Sequence, residues 1–283
     1  MILTPKLRNL AEKLSRGVVL RRRLPAEFQR LTLYVTPEAG LRHWASLSRV
    51  DPHLFRMAGE LVQPGAVVWD VGANLGLFAF SAAARAGRTG FVLAVEPDIW
   101  LAHLMSRSSR LIARRHLPVA PVKILCASVS RESRAAELEI AERARASNHV
   151  YGVSGSTQAG GHRNLQPTVS IALDSLATSF PVPHVLKIDV ESHEFEVLSG
   201  ALRLLERARP IIWCEVDPSN AEAVSELLRS YDYRLFGADA DPHPPIERAW
   251  WNTLAVPEEK AVLGEAKEQV SHSAIPPVKY KPA

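Results

Sequence analysis

The chain has 283 residues, 47% of them hydrophobic and 23% charged, with 34 basic against 30 acidic side chains. That is an ordinary globular composition, long enough for one large α/β domain with appendages or for two small ones. A net charge of +4 and two cysteines exclude a strongly basic polyelectrolyte and a disulfide scaffold, and the ten histidines show no His-x-x-x-His spacing, so no metal is assigned.

Residues 1–25 are basic, with Lys6, Arg8, Lys13, Arg16 and Arg21 to Arg23, and Leu7, Leu10, Ala11 and Leu14 share one helical face. A short amphipathic helix is predicted, either solvated against the domain or in weak peripheral contact with anionic lipid or an acidic partner. Residues 28–37 alternate as a strand. Residues 41–61 read as a helix, with Asp51-Pro52 as a start signal inside it. Residues 1–60 are therefore expected to be an appendage, residues 61–257 the main domain, and the Pro- and Lys-rich residues 258–283 a disordered tail. With neither a secretory leader nor an apolar run of about 18 residues, the expected location is cytoplasmic, without a membrane span.

Residues 67–96 organise the rest. An apolar run ends in Asp70 and the turn Gly72-Ala73-Asn74-Leu75-Gly76, then come a small-residue helix, a Gly87 stop and a second apolar run ending in Glu96. Strand, glycine turn, helix, strand and acid form half of a nucleotide-binding α/β unit. Glycines let the backbone approach a ligand, and an acid at the second strand end can accept both ribose hydroxyls. The spacing D-x-G-x-N-x-G lacks the P-loop lysine and the middle glycine of the dinucleotide fingerprint. It suits a nucleoside without a pyrophosphate. S-adenosylmethionine is such a ligand, and its amino and sulfonium charges would lie near Asp70.

Asp98 opens a helix to Arg115 with a basic outer face, read as solvated because no aromatics interleave it. Residues 121–129 are expected as the third core strand, where Ala127 and Ser128 leave room for adenine or simply pack tightly. Cys126 and Cys214 sit in strand-like runs and are expected as buried free thiols. Strands over 135–140 and 169–173 flank a polar, glycine-rich segment, 147–164, read as a mobile lid or substrate loop. The run 185–188 delivers Asp189, Val190 and Glu191, with a helix from near Ser192. Helix capping accounts for some of these acids, but not for all of them beside His193. Residues 210–216 form a fifth strand ending in Glu215. A helix follows from Asp217 to Ser230, and strands over 231–236 and 251–256 close the domain around the loop 239–247.

The stretches VVWDVGANLGLF, AVEPD, ALDSL, LKIDVESHEFEVLSGA and WNTLAVP, in that order, resemble the FkbM family of S-adenosylmethionine-dependent methyltransferases over residues 61–257. The resemblance implies a class I methyltransferase fold, a Rossmann-like seven-stranded, mostly parallel sheet with helices on both faces and the last strand antiparallel. It further implies that Asp70, Gly72, Ala73, Asn74 and Gly76 surround the methionine part of the cofactor, with Glu96 on the ribose and Ser128 and Asp189 beside them. The family usually carries glycine and then a small residue where this chain has Ser192 and His193. Serine is tolerated there unless the backbone needs a positive φ.

The expected reaction is methyl transfer to a hydroxyl of a sugar, glycan or small metabolite, with Asp189, Glu191 or His193 as general base. Histidine best matches neutral pH among the three. The readings weighed against it are an NAD(P) oxidoreductase, a non-catalytic scaffold, and an N- or nucleic-acid methyltransferase. The glycine spacing, the intact loop, and the absence of an Asn/Asp-Pro-Pro-aromatic tetrapeptide stand against each in turn.

Overall fold

The computed structural model describes residues 12–142, 145–150 and 161–261. An antiparallel hairpin of β1 (Leu20–Arg23) and β2 (Thr32–Val35) packs into the same core as the main sheet. Residues 41–61 do not form one helix. Two 3-10 turns, Leu41–Trp44 and Leu47–Arg49, precede α1 (Pro52–Leu61). The cause is local: Pro52 has no N–H for a continuing helix and pushes Asp51 out of the helical region, to φ −153°. Asp51 then caps the new helix, accepting the Leu54 N–H at 2.9 Å.

The main sheet contains β3 (Val67–Val71), β4 (Phe91–Val95), β5 (Val122–Leu125), β10 (Val185–Ile188), β11 (Ile211–Cys214), β12 (Tyr233–Gly237) and β13 (Thr253–Pro257). Their order is β12-β13-β11-β10-β3-β4-β5, and only β13 runs antiparallel to its neighbours. This is the expected class I methyltransferase architecture. The strands are short apolar runs because helices cover both faces. One face carries α1, α2 (Leu77–Ala86) and α3 (Ile99–Ala113), with Phe78 and Trp213 in its core. The other carries α4 (Leu173–Leu176), α5 (Glu194–Ser199) and α6 (Ala221–Ser230), packed around Trp69, Val197 and Leu228. Trp69 and Trp213 are fully buried on opposite faces, and truncating either to alanine would cost about 3–5 kcal/mol.

Residues 121–129 depart from the expected single strand. After β5 the chain breaks at Cys126-Ala127, and β6 (Ser128–Val129) leaves the main sheet. It pairs in parallel with β9 (His162–Ile171), which pairs with β7 (Arg134–Ala141), itself joined to β8 (His149–Val150). This second sheet, β6-β9-β7-β8, was not expected from the two strands read separately. The break exposes Cys126, contrary to its expected burial, whereas Cys214 is buried. The strand expected over 169–173 ends at Ile171, because Leu173 already belongs to α4.

Residues 258–261, at the start of the expected tail, form a helical turn in which Glu259 pairs with Arg209 at 2.7 Å. The apolar face of Leu7, Leu10 and Ala11, the centre of the expected lid (151–160) and residues 262–283 lie outside the described residues. No helix among the described residues is long and apolar enough to cross a membrane.

Candidate active site at the carboxyl rim of the sheet

Parallel strands place their following loops on one rim, where α/β proteins bind ligands. Since β3 pairs with both β4 and β10, the loops carrying Gly72, Glu96 and Asp189 are neighbours. They open a cleft of about 660 Å³, counting the solvent at its mouth. Of the sequence-predicted residues, Gly72, Asn74, Glu96, Ser128, Asp189, Glu191 and His193 line it.

Asp70, Ala73 and Gly76 do not line the cleft; they build the turn beneath it. Asp70 is fully buried, its Oδ2 accepting the Ala79 N–H at 3.0 Å and its Oδ1 lying 3.5 Å from Lys187 Nζ. Burial raises its pKa despite the lysine. Strand alternation turns its side chain into the α2 face of the sheet instead of toward the rim. Ala73 donates its N–H to the Val95 carbonyl, and Gly76 closes the turn by donating to the Ala73 carbonyl at 2.7 Å.

Gly72 lets the turn pack directly against the end of β10. Gly72 has φ 75°, and a Cβ there would lie 1.8 Å from the Asp189 carbonyl oxygen. Asn74, at φ 52°, donates its N–H to Glu96 Oε2 at 2.7 Å. Its own Oδ1 is buried with no partner among the described residues, an arrangement that asks for a ligand donor. Glu96 Oε1 accepts the Asp98 N–H at 2.9 Å. Burial, with the nearby Asp98 and Asp70 charges, pushes the Glu96 carboxyl up to about 8.

The other end of the cleft is carboxylate-rich. Lys187, buried in β10, donates to Asp189 Oδ2 at 3.0 Å. Burial alone would lower its pKa, but Asp189, Asp70 and Glu215 together raise it. Burial, then Asp189, Glu194 and Asp217, push Glu191 up to about 7. His193 bonds through Nε2 to Ser130 Oγ at 3.0 Å, and burial lowers its pKa. Glu194 points away, accepting from Asn220 Nδ2 at 2.7 Å. Ser192 sits between Glu191 and His193 at φ 58°. The glycine usual in the related families therefore meets a backbone need that serine fills under strain.

Sequence reasoning expected a lid over 147–164, and Asn148, His149 and Val150 of that segment line the cleft; it missed the Leu138 and Arg145 part of the roof. Leu138 and Val150, paired across β7 and β8, line the cleft together with Arg145 and Asn148. Arg145 Nη1 donates to buried Asp98 Oδ2 at 2.6 Å and its Nε to Glu38 Oε2 at 3.0 Å, while Asn148 Nδ2 also donates to Asp98 at 2.8 Å. Glu38 further receives Arg163 Nη1 at 2.7 Å and the Gly17 N–H. Glu38 thus ties down the segment over the Glu96 end of the cleft. The one signal available for Lys187 was a lysine inside an otherwise apolar strand. Among the described residues no group of three or more His, Cys, Asp or Glu forms a metal cluster.

Over 199 residues the chain is 27% identical to "Hexuronic acid methyltransferase AglP" of Haloferax volcanii, covering 68% of this chain and 75% of that protein. It is similar to the crystal structure of methyltransferase FkbM from Methylobacillus flagellatus at 13% identity and a TM-score of 0.45, covering 71% of this chain but only half of that one. A SAM-dependent O-methyltransferase from Thermotoga maritima gives 13% identity, a TM-score of 0.40, and coverage of 72% and 63%. The family model for the methyltransferase FkbM domain matches residues 70–235, more than half of the chain, and the chain belongs to that family of S-adenosylmethionine-dependent methyltransferases.

Proposed function

We propose that this methyltransferase transfers the methyl group to a hydroxyl oxygen of a sugar, with Glu191 as the general base. The cofactor suits the residues present: Asn74 Oδ1 is buried at the cleft without a donor among the described residues, and Glu96 lies beside it on the same lining. Gly72, Asn74 and Glu96 would hold it, with Glu96 on the ribose hydroxyls. When bound, S-adenosylmethionine supplies an electrophilic methyl group on a sulfonium.

The observation that carries the reading is Glu191. It lines the cleft, has a pKa of about 7, and its carboxylate makes no hydrogen bond among the described residues. Asp189 is held by Lys187, and His193 is engaged with Ser130. A sugar hydroxyl is a poor nucleophile until its proton leaves, and a base near neutral pH removes it as attack develops. Lys187 keeps Asp189 fixed beside Gly72, so the acceptor meets a rigid floor. The relative from Haloferax volcanii is named for a hexuronic acid, which offers both hydroxyl and carboxylate oxygens. A carboxylate acceptor is already anionic, so it would leave the Glu191 base idle. That favours the hydroxyl.

The test is incubation with methyl-labelled S-adenosylmethionine and a panel of hexoses, hexuronates and their oligosaccharides, with the product located by mass spectrometry. A base-stable methyl ether is expected, lost in Glu191→Gln. A methyl ester, or an ether formed equally well by that variant, would overturn the reading.

A further inference from the structure

Two large aromatic side chains stay in water on the rim that carries the cleft. Trp250 is 61% exposed and Trp251 53% exposed. Because β13 runs antiparallel to β11, with Thr253 opposite Cys214, the residues before β13 overhang the carboxyl ends of its neighbours. The Trp251 carbonyl accepts the Val216 N–H at 3.1 Å, one residue past Glu215. The Glu215 N–H in turn donates to Ile188, immediately before Asp189. Asp189 and Trp251 are thus two strand positions apart, about 10 Å at the usual spacing.

The turn holds the Trp250 ring in place. Trp250 Nε1 donates to Asp239 Oδ2 at 3.1 Å, and Asn252 Nδ2 donates to Asp239 Oδ1 at 2.8 Å. The Trp250 N–H donates to Thr253 Oγ1 at 2.7 Å. An indole pinned at its N–H while its face remains wet is organised in advance for a flat apolar partner. The approach to the cleft also differs between its ends. Leu138, Val150 and Arg145 roof the Glu96 end, so the open approach to Asp189 and Glu191 is from the β11 side.

We infer that Trp250 and Trp251 form a sugar-binding subsite for a ring of the acceptor other than the one that is methylated, so that the acceptor is an oligosaccharide or glycoconjugate. A pyranose has one face of C–H groups that stacks on an indole, while its hydroxyls point outward to acceptors such as Glu215. A span of two strand positions is one that linked pyranose rings bridge. This inference rests on the sugar reading of the cleft.

The experiment is calorimetric titration of the protein, loaded with S-adenosylhomocysteine, against glucuronic acid, β-linked glucuronate-containing di- and tetrasaccharides, and cellotetraose. Wild type should bind a tetrasaccharide at least tenfold more tightly than the monosaccharide. Trp251→Ala and the double variant with Trp250→Ala should remove that gain, Trp251→Phe should keep most of it, and the affinity for S-adenosylhomocysteine should change by less than twofold. Equal tetrasaccharide binding by wild type and the double variant, or no oligosaccharide binding by the loaded wild type, would overturn the inference. So would sedimentation showing a dimer that the alanine variants dissociate, since the rings would then face a second copy. Failure of folded wild type to bind S-adenosylhomocysteine would instead sink the reading of the cleft itself.

Discussion

Ser192 is where the chain departs from its family and where the backbone carries strain. Its φ of 58° is left-handed, which costs an L-residue about 1–2 kcal/mol. Glycine would escape that cost but lose about 0.5–1 kcal/mol of extra unfolded-state entropy. Direct replacement also removes the bond from Ser192 Oγ to Asp217 Oδ2 at 3.2 Å, so the clean comparison is Ser192→Gly against Ser192→Ala. Both lose the hydroxyl, and only alanine keeps the strain. Glycine should therefore be the more stable by about 0.5–1 kcal/mol, or about 2–4 °C per kcal/mol in melting temperature for a chain of this size. Urea unfolding followed by circular dichroism measures it. An alanine variant as stable as the glycine variant would show that the turn relaxes out of the left-handed region, and the account of how Glu191 and His193 are aimed into the cleft would fail with it.

Glu96→Gln should weaken S-adenosylhomocysteine binding by more than tenfold, because an amide cannot accept from both the Asn74 and Asp98 N–H groups; calorimetry reads it. In wild type, ligand hydroxyls favour the charged form of a carboxyl that sits at about 8, so affinity should rise between pH 7 and 9. Turnover should rise as pH passes through about 7, where Glu191 loses its proton, and this limb should vanish in Glu191→Gln. The sign for stability is opposite. The folded protein holds a proton on Glu191 that the unfolded chain releases near 4.5, so this group's contribution falls as pH rises from 4.5 to about 7. Glu38→Ala removes one ion-pair partner each from Arg145, which keeps Asp98, and from Arg163, which keeps the Glu142 carbonyl, and should cost about 1–2 kcal/mol. It should also speed S-adenosylhomocysteine release in stopped-flow measurements; unchanged release would mean that Glu38 does not hold the roof.

The floor of the site was legible because its determinants are local. Val67 to Glu96 states strand, turn, helix and acid within one stretch, and Asp189 follows the same logic one strand over. Of the roof, only the 147–164 segment was legible, as a lid. Ser128 looked like the end of a core strand, and its transfer to a second sheet depends on a parallel pairing with Ser170 that no nearby residue announces. Likewise the Arg145, Asp98 and Glu38 contacts join positions more than forty residues apart. Asp70 read as a ligand residue because its spacing was right, yet the pleat of β3 turns it inward to Lys187. At Ser192 the residue type hid the backbone requirement that glycine would have advertised.

The measurement that tests the central claim most directly is calorimetric titration of the purified protein with S-adenosylmethionine, S-adenosylhomocysteine and NADH, with Gly72→Val as the control. A Cβ at Gly72 collides with the Asp189 carbonyl, so the account predicts micromolar binding of the first two ligands, none of NADH, and loss of binding in the variant. Binding of NADH, or no binding of either sulfur ligand by protein shown to be folded, would contradict it.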